Sequence, residues 1–227
     1  MNHIHLKECE STQEYLISLS KSSNSNYLIS TDKQTNGRGR RENLWDSDQN
    51  SLCFSFTLKA NDILTLSASE ITILLCQFFD LYQGISHHTK LKWPNDLINS
   101  QNEKCGGVLI NKIDEMLIVG VGLNLNPTQY SNYQIKAGSV FKLHHDFQHK
   151  SLALEIVEYI HRNRMSSAEV SQKWKDYCFH LNQKVLITEE DKIIEGIFLN
   201  IGEFGQAIIK MNKEEIQIFN GSLRVHN

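Results

Sequence analysis

The 227-residue chain carries 23 Lys+Arg against 26 Asp+Glu, a formal net charge of -3, and 40% of its residues are hydrophobic. This balance gives no broad basic surface for nucleic acid, and the length suits one large domain plus a small one. Residues 1–10 carry charged residues and histidines instead of an apolar run, and polar side chains interrupt the most apolar stretch, residues 63–82. We therefore expect a cytoplasmic protein without a signal peptide or membrane span.

The cysteines and histidines predict neither disulfides nor a metal site. The five cysteines are scattered without a CxxC pair, and the sequence has no His-x3-His or HExxH motif. Two histidine pairs, His87-His88 and His144-His145, are adjacent in sequence. Neighbouring residues rarely point at one metal, so we expect these four on the surface.

The first third of the chain predicts alternating short helices and strands. Ser11, three residues before Glu14, has the form of a capping box that opens a helix. Residues 27–30 and 52–58 predict strands from their β-rich composition. Over residues 64–82 apolar side chains recur three and four positions apart, which predicts an amphipathic helix against a core.

The middle and end of the chain predict further strands and two helices. These elements are strands over residues 90–93 and 96–98 around the Pro94-Asn95 turn, strands over 106–110 and 116–122, a polar loop over 127–138, and helices over 151–164 and 167–180. From residue 183 onward only short strands are predicted, over residues 185–187, 193–199, 207–209 and 216–219. This predicts a small all-β module with a boundary near Asn182.

The most distinctive segment is the basic loop KQTNGRGRR, residues 33–41, in which two glycines separate arginines. Glycine lets a backbone approach a ligand closely, and each guanidinium offers a planar fork of donors to phosphate or carboxylate oxygens. The loop could therefore wrap an anion. A solvated basic turn and a nucleic-acid contact are the alternatives from the residues alone.

Three weaker motifs accompany this loop: KWPND (residues 92–96), KCGGV (104–108) and GVGLNLN (120–126). Each alone is more typical of a turn, a bulge or a strand end, and neither GxxxxGK[ST] nor GxGxxG is present. In this order and together with the loop, they resemble biotin protein ligases, enzymes that activate biotin with ATP and attach it to a carrier lysine. The resemblance covers nearly the whole chain, and the family's optional DNA-binding winged helix has no counterpart in it.

The resemblance implies an α/β (α+β) fold. A mixed β-sheet catalytic domain with helices packed on it would occupy residues 1–182, and an SH3-like β-barrel would occupy residues 183–227. Ser11, Thr12 and Gln34 would hydrogen-bond the ureido ring of biotin. The ring has N–H donors and a carbonyl acceptor, which side-chain hydroxyls and an amide can match. The implied biotin site comprises Ser11, Thr12, Gln34, Gly37, Arg38, Gly39, Arg40, Lys92 and Gly107.

The resemblance also implies how ATP is used. Arg38, Arg40 and Lys92 would be the catalytic cations, because a carboxylate attacking ATP brings negative charges together. Trp45 would lie against adenine, and Mg²⁺ would accompany ATP without an assigned protein ligand. No general base is identified, although Asp96 lies beside Lys92. The implied ATP site comprises Arg38, Arg40, Arg41, Trp45, Asn95, Lys104 and Asn124.

Two positions depart from the family pattern. Glu42-Asn43 stands where the family commonly continues with Gly-Arg, which predicts weaker ATP binding, and Gln13 stands where Asn is frequent. The alternatives are a lipoate or octanoate attachment enzyme of the same fold and a non-catalytic biotin or nucleotide binder, with nucleic-acid binding third. The expected partner is the biotin carboxyl carrier domain of a biotin-dependent carboxylase, with no nucleic acid, no membrane, and a monomeric or homodimeric enzyme.

Overall fold

The computed structural model describes residues 1–21, 25–84, 88–128, 137–190 and 192–226, and of Glu42 only the backbone. Most of the polar loop predicted over residues 127–138, and also His87, lie outside the described residues. The first half contains β1 (Asn2–Leu6), α1 (Thr12–Ser20), β2 (Tyr27–Thr31), β3 (Gly37–Arg38), β4 (Leu44–Trp45), β5 (Ser51–Lys59), α2 (Ser67–Gln83), β6 (Thr89–Lys92) and β7 (Asp96–Asn99). The second half contains β8 (Lys104–Ile113), β9 (Met116–Asn124), α3 (His149–Arg162), α4 (Ser167–Tyr177), β10 (Lys184–Glu189), β11 (Lys192–Ile201), β12 (Ala207–Met211), β13 (Glu214–Ile218) and β14 (Ser222–Val225).

A seven-stranded mixed sheet with the order β1-β2-β5-β9-β8-β7-β6 forms the centre of the fold. Strands β1 and β2 pair in parallel, connected through α1, and the remaining neighbours pair antiparallel. This confirms the predicted mixed α/β architecture. The edge strand β1 was missed, because its alternating polar and apolar residues, NHIHL, are half-buried and carry little β-rich signal.

The two faces of the central sheet have different roles, which the alternation of side chains along β9 shows. Val119 and Val121 face the main core with Phe54 and Phe56 of β5, and α2 and α3 pack on this side. Ile118 faces the other way, into a small cluster that includes Leu16 of α1. Beyond Ile118, this second face carries glycines and stays open.

Helix α2 is the core helix that the sequence predicted, preceded by a 3-10 turn at Leu64–Leu66. By length and composition the span Leu64–Gln83 could cross a membrane, but 67% of its most apolar window is buried inside the fold. Its apolar surface is therefore used in packing. The prediction of a surface position is wrong for His88, which is 6% exposed and whose ring hydrogen-bonds the Val140 carbonyl oxygen at 2.6 Å. His144 and His145 are exposed as predicted.

The chain after residue 183 forms a five-stranded antiparallel sheet with the order β13-β12-β11-β10-β14. The last strand, β14, was missed by the sequence patterns. This sheet contacts the rest of the protein through Trp93, whose Nε1 donates to the Gly205 carbonyl oxygen at 3.0 Å, and through Phe198, which stacks on Trp174. Closure into an SH3-like barrel and a domain boundary at residue 182 stay predictions.

Candidate active site

A cavity of about 560 Å³ opens on the glycine-bearing face of the central sheet, a size that suits a small organic ligand. The sequence-predicted residues that line it are Ser11, Thr12, Gln34, Arg38, Gly39, Arg40, Trp45, Lys92, Asn95, Lys104, Gly107 and Asn124. They come from the start of α1, the basic loop, the short strand β4, the β6–β7 turn and strands β6, β8 and β9 of the large sheet. The tertiary structure thus brings together residues as distant in sequence as Ser11 and Asn124.

Two predicted ligand residues, Gly37 and Arg41, are not among the residues that line this cavity, and their assignment stays a prediction. Gly37 pairs with Trp45 across the β3–β4 hairpin, and a side chain there would collide with the Trp45 carbonyl oxygen. Arg41 adopts a positive φ of 53° and directs its guanidinium to Ser222 Oγ at 3.5 Å. Both residues shape the loop, since one permits close strand pairing and the other turns the chain.

The floor of the cavity exists because β9 places glycine at two successive positions on this face. A Cβ at Gly120 would lie 2.5 Å from Gln13 Oε1, and one at Gly122 would lie 2.5 Å from Trp45 Cε2. Gly107 of β8 pairs with Gly122 and continues the bare surface. Gly120 and Gly122 therefore make room for the side chains of Gln13 and Trp45, which lie at opposite ends of the floor. A Cβ at Gly107 would meet no atom closer than 3.8 Å, so the backbone is open to a ligand at that position.

At the Gln13 end, hydrogen bonds fix which polar atoms can meet a ligand. Thr12 donates its backbone N–H (2.9 Å) and its hydroxyl (3.0 Å) to Gln34 Oε1, so Gln34 must present its Nε2 donors elsewhere. Because the Thr12 proton is committed, the Ser55 hydroxyl is the donor in their 2.9 Å contact, which leaves lone pairs on Ser55 Oγ. Ser11 Oγ accepts from Glu14 N at 3.3 Å as the helix N-cap and keeps its own proton.

The predicted capping box at Ser11 is only half formed within the described residues. The Ser11 side chain caps α1, but the Glu14 carboxylate lies 3.5 Å from Arg38 Nε in the basic loop. Glu14 thereby ties the loop to the start of α1. The N-cap role and a ligand contact of Ser11 are compatible, because they use different parts of the hydroxyl.

A cation cluster lies farther along the cavity. Asp96 accepts Lys104 Nζ at 2.7 Å on Oδ1 and Lys92 Nζ at 3.3 Å on Oδ2. Lys92 reaches Asp96 because the two residues are directly paired across the β6–β7 hairpin. Lys104 is the more open of the two ammonium groups and also lies 5.8 Å from the centre of the Trp45 ring. Asp96 therefore holds both lysines beside the floor.

Arg40 joins this cluster from the basic loop. Its guanidinium donates to Asn95 Oδ1 at 3.3 Å and to Asn220 Oδ1 at 2.7 Å. Burial, followed by the neighbouring charge of Arg41, lowers the pKa of Arg40. A partly desolvated cation with only neutral partners among these contacts favours an anionic ligand.

The two asparagines assigned to ATP are held firmly by the backbone. Asn95 donates its Nδ2 to the Val108 carbonyl oxygen at 2.5 Å while its Oδ1 receives Arg40. Asn124, 6% exposed, donates its Nδ2 to the Gly138 carbonyl oxygen at 3.2 Å. Both line the cavity, and both serve first to shape its walls.

Sequence reasoning missed several lining residues. Ser55, Gly120 and Gly122 could have been found from the period of two along β5 and β9, which puts them on one face. Gln13 was noted only as a departure from the family pattern, and Asp96 only as a neighbour of Lys92. Residues 221–224 also line the cavity, and no local pattern in the terminal module pointed to them.

The carboxylates near the cavity do not form a metal site by themselves. No group of three or more His, Cys, Asp or Glu residues with suitable geometry occurs among the described residues. Both oxygens of Asp96 are already paired with lysines. A Mg²⁺ ion here would depend chiefly on phosphate oxygens and water, as is common for nucleotide-bound Mg²⁺.

Comparison with known proteins agrees with this site. Residues 6–126 match the model of the Biotin/lipoate A/B protein ligase family. This segment holds α1, the basic loop and most of the strands that line the cavity. The chain belongs to this family.

Proteins similar to this chain include biotin protein ligases. Biotin–protein ligase 2 of Arabidopsis thaliana is 34% identical over 113 residues, covering 44% of this chain and 33% of the relative. The Schizosaccharomyces pombe biotin–protein ligase is 26% identical over 229 residues, covering 85% of this chain and 36% of the relative. The chain thus spans about a third of these curated relatives. The structure of the Aquifex aeolicus biotin protein ligase, in complex with biotin and ATP, superposes with a TM-score of 0.81 at 28% identity and 99% coverage of both chains.

Proposed function

We propose that this protein is a biotin protein ligase. It would convert biotin and ATP to biotinyl-5'-AMP and pyrophosphate, and then transfer biotin to a carrier lysine with release of AMP. The observation that carries this proposal is one cavity in which a neutral hydrogen-bonding end at Ser11, Gln34 and Ser55 is followed by a cation cluster. A ligand with a polar, uncharged head and a carboxylate tail fits this order.

In the first half-reaction, the biotin carboxylate attacks the α-phosphorus of ATP, and pyrophosphate leaves. Lys92, Lys104 and Arg40 would neutralise the carboxylate and phosphate oxygens as they approach. These cations are already positioned by Asp96 and Asn95, so little reorganisation accompanies the reaction. Asp96 would act as the positioning residue for both lysines.

In the second half-reaction, the carrier lysine amine attacks the acyl carbon of the mixed anhydride. The bond to the phosphate oxygen breaks, and AMP leaves as an anion stabilised by the same cations. The attacking amine must lose a proton, and the geometry assigns no base to it. We propose the carrier domain of a biotin-dependent carboxylase as the acceptor, Mg²⁺ as the companion of ATP, and a cytoplasmic location.

Intact mass spectrometry tests the proposal. Purified protein is mixed with ATP, Mg²⁺ and an apo carrier domain, with either biotin or lipoate as the acid. A gain of one biotinyl group, lost when the carrier lysine is replaced by Arg, is the expected result. A lipoyl gain without a biotinyl gain would support the lipoate alternative, and no modification despite biotin binding would support a non-catalytic binder.

A further inference from the structure

Trp93 is a buried ring in the β6–β7 turn that spans the junction between the central sheet and the terminal sheet. The residue is only 1% exposed, although it borders the cavity. Its Nε1 donates to the Gly205 carbonyl oxygen at 3.0 Å, in the connection between β11 and β12. A Cβ on Gly221, between β13 and β14, would lie 3.5 Å from Trp93 Cζ3. One side chain of the central sheet therefore contacts two connections of the terminal sheet.

The hydrogen bond to Gly205 fixes the orientation of the Trp93 ring. An indole N–H can only donate and a backbone carbonyl can only accept, so rotating the ring would leave both groups unpaired in the junction. Gly205 is itself held in place, because it has a φ of 77° and a Cβ there would lie 3.2 Å from Leu66 Cδ2. The opposite edge of the indole, which carries Cζ3, is thereby kept against Gly221.

The segment at Gly221 is confined between Trp93 and β10. A Cβ on Gly221 would lie 2.6 Å from Ile187 Cγ2 and 3.3 Å from the Thr188 carbonyl oxygen, so the backbone already packs closely against β10. The Trp93 ring closes the other side. The residue before Gly221 is Asn220, whose position in space is therefore set by these two walls.

Asn220 is one of two side chains that accept from the Arg40 guanidinium, at 2.7 Å from Nη2. The other is Asn95, at 3.3 Å from Nη1. Asn95 is fixed independently, because its Nδ2 donates to the Val108 carbonyl oxygen of β8. The influence of Trp93 on Arg40 therefore runs through Asn220.

We propose that Trp93 is a positioning residue that holds the Arg40 guanidinium in the cation cluster by fixing the segment that carries Asn220. This inference rests on the proposed function, in which Arg40 neutralises the carboxylate and phosphate oxygens. Trp93 touches no reacting atom in this role. If the ring edge at Gly221 is lost, Asn220 no longer presents its oxygen at a fixed place, and Arg40 holds biotinyl-AMP less tightly.

The test measures pyrophosphate release from biotin and ATP without a carrier, in wild type, Trp93→Phe, Asn220→Ala and the double variant. The first turnover gives a burst that reports adenylate formation, and the later slow phase reports loss of biotinyl-AMP from the site. A smaller folded fraction lowers both phases equally, so their ratio responds to retention and not to stability. Phe lacks both Nε1–H and the far edge of the indole. We expect Trp93→Phe to raise the ratio of slow to burst rate about fivefold or more.

The double variant tests the route through Asn220. Asn220→Ala should raise the same ratio to a similar extent. If Trp93 acts through Asn220, the double variant should match the single variants to within about twofold, whereas independent effects would multiply. Multiplied effects would overturn the inference, and so would a wild-type ratio in Trp93→Phe.

Trp174→Phe is the matched control, because Trp174 is also buried at the junction and stacks on Phe198 of the terminal sheet. It does not line the cavity, and its Nε1 has no partner within the described structure. Its ratio should stay at the wild-type value. A rise equal to that of Trp93→Phe would assign the effect to junction packing in general and overturn the inference.

Gly221→Ala decides the question if Trp93→Phe does not fold. The added methyl group would collide with Ile187, so the segment must shift while Trp93 stays intact. We expect the ratio of slow to burst rate to rise as in Asn220→Ala. An unchanged ratio would show that the place of this segment does not matter to Arg40.

The failure of this inference is distinguishable from failure of the proposed function. A wild-type protein that forms biotinyl-AMP with a burst, while Trp93→Phe keeps the wild-type ratio, overturns only the role of Trp93. A wild-type protein that releases no pyrophosphate in the presence of biotin and ATP overturns both.

Discussion

At the scale of single residues, the site depends on charges held by neutral or opposite partners before any ligand arrives. Asp96 holds Lys92 and Lys104, and Asn95 together with Asn220 holds Arg40. The resulting cluster has three cations and one carboxylate. It should therefore bind an anion without a large rearrangement of side chains.

Lys92→Ala should reduce adenylate formation by about two orders of magnitude or more, because the lost ammonium can no longer neutralise the reacting oxygens. Pyrophosphate release without carrier measures this step. The fold should survive, since Asp96 keeps Lys104 as a partner. Lys90→Ala on the same strand is the control, because Lys90 is exposed and does not line the cavity. Pyrophosphate release at the wild-type rate in Lys92→Ala would remove this lysine from the chemistry.

The Arg40→Gly variant should release biotinyl-AMP into solution before transfer to the carrier. One charge-assisted contact of about 1.5 to 3 kcal/mol, expressed mainly in the off-rate, would shorten the residence of biotinyl-AMP roughly tenfold or more. Free adenylate acylates lysines indiscriminately, so albumin added to the reaction should become biotinylated. Arg41→Gly removes a neighbouring arginine outside the cavity, at a positive φ that glycine accepts, and should label albumin much less. Unlabelled albumin, despite adenylate formation by Arg40→Gly, would show that Arg40 does not retain the intermediate.

At the scale of elements, the terminal sheet is part of the active site. The segment between β13 and β14 supplies Asn220 to Arg40, and β14 supplies Ser222 to Arg41. The same segment approaches the central sheet at Gly221, where a Cβ would lie 3.5 Å from the Trp93 ring. The terminal module thus supports the basic loop.

Asn220→Ala should slow adenylate formation about fivefold, because an exposed hydrogen bond to a guanidinium contributes roughly 1 kcal/mol. The effect should appear in pyrophosphate exchange without carrier. The adjacent Phe219 is 65% exposed, so Phe219→Ala is the control and should leave this exchange unchanged. Normal exchange in Asn220→Ala would confine the terminal module to a docking role.

At the scale of the whole molecule, the two sheets join around a buried histidine. His180 is fully buried, with its ring 4.3 Å from Phe198 and 5.9 Å from Trp174 between centroids. Desolvation, followed by the charge of Lys92, lowers the pKa of His180 to about 3. The junction therefore accepts this ring only in its neutral form.

The free energy of unfolding should consequently decrease as the pH is lowered below about 6.5. Above pH 6.5 the ring is neutral in both the folded and the unfolded state. Below pH 6.5 the ring is protonated in the unfolded chain but stays neutral in the folded protein. The slope for this one group is about 1.4 kcal/mol per pH unit down to pH 3. Urea titrations between pH 7 and pH 5 should show a loss of about 2 kcal/mol that His180→Phe diminishes, and equal losses in both proteins would contradict the assignment.

Elements with a local signal were predicted from the residues alone. The apolar stripe of α2, the β-rich runs of β5 and β9, and the hairpin around Pro94 were all predicted within a few residues, because side-chain periodicity and turn residues act over short distances. The basic loop and the KWPND motif also identified most of the cavity lining through their resemblance to a family. The weakly patterned β1 and β14 were missed because they become strands through pairing with neighbours.

Which of these residues form one site depends on long-range packing. Asp96 meets Lys104 across the β7–β8 pair, and Asn220 meets Arg40 from 180 residues away. Gly37 pairs with Trp45 across the β3–β4 hairpin, and Arg41 reaches Ser222 of the terminal sheet, contacts that the motif alone does not indicate. Gln13 is held at the edge of the cavity because its Nε2 donates to the Ile118 carbonyl oxygen of β9. Such contacts depend on strand register and on the packing of distant segments, which no local pattern of residues encodes.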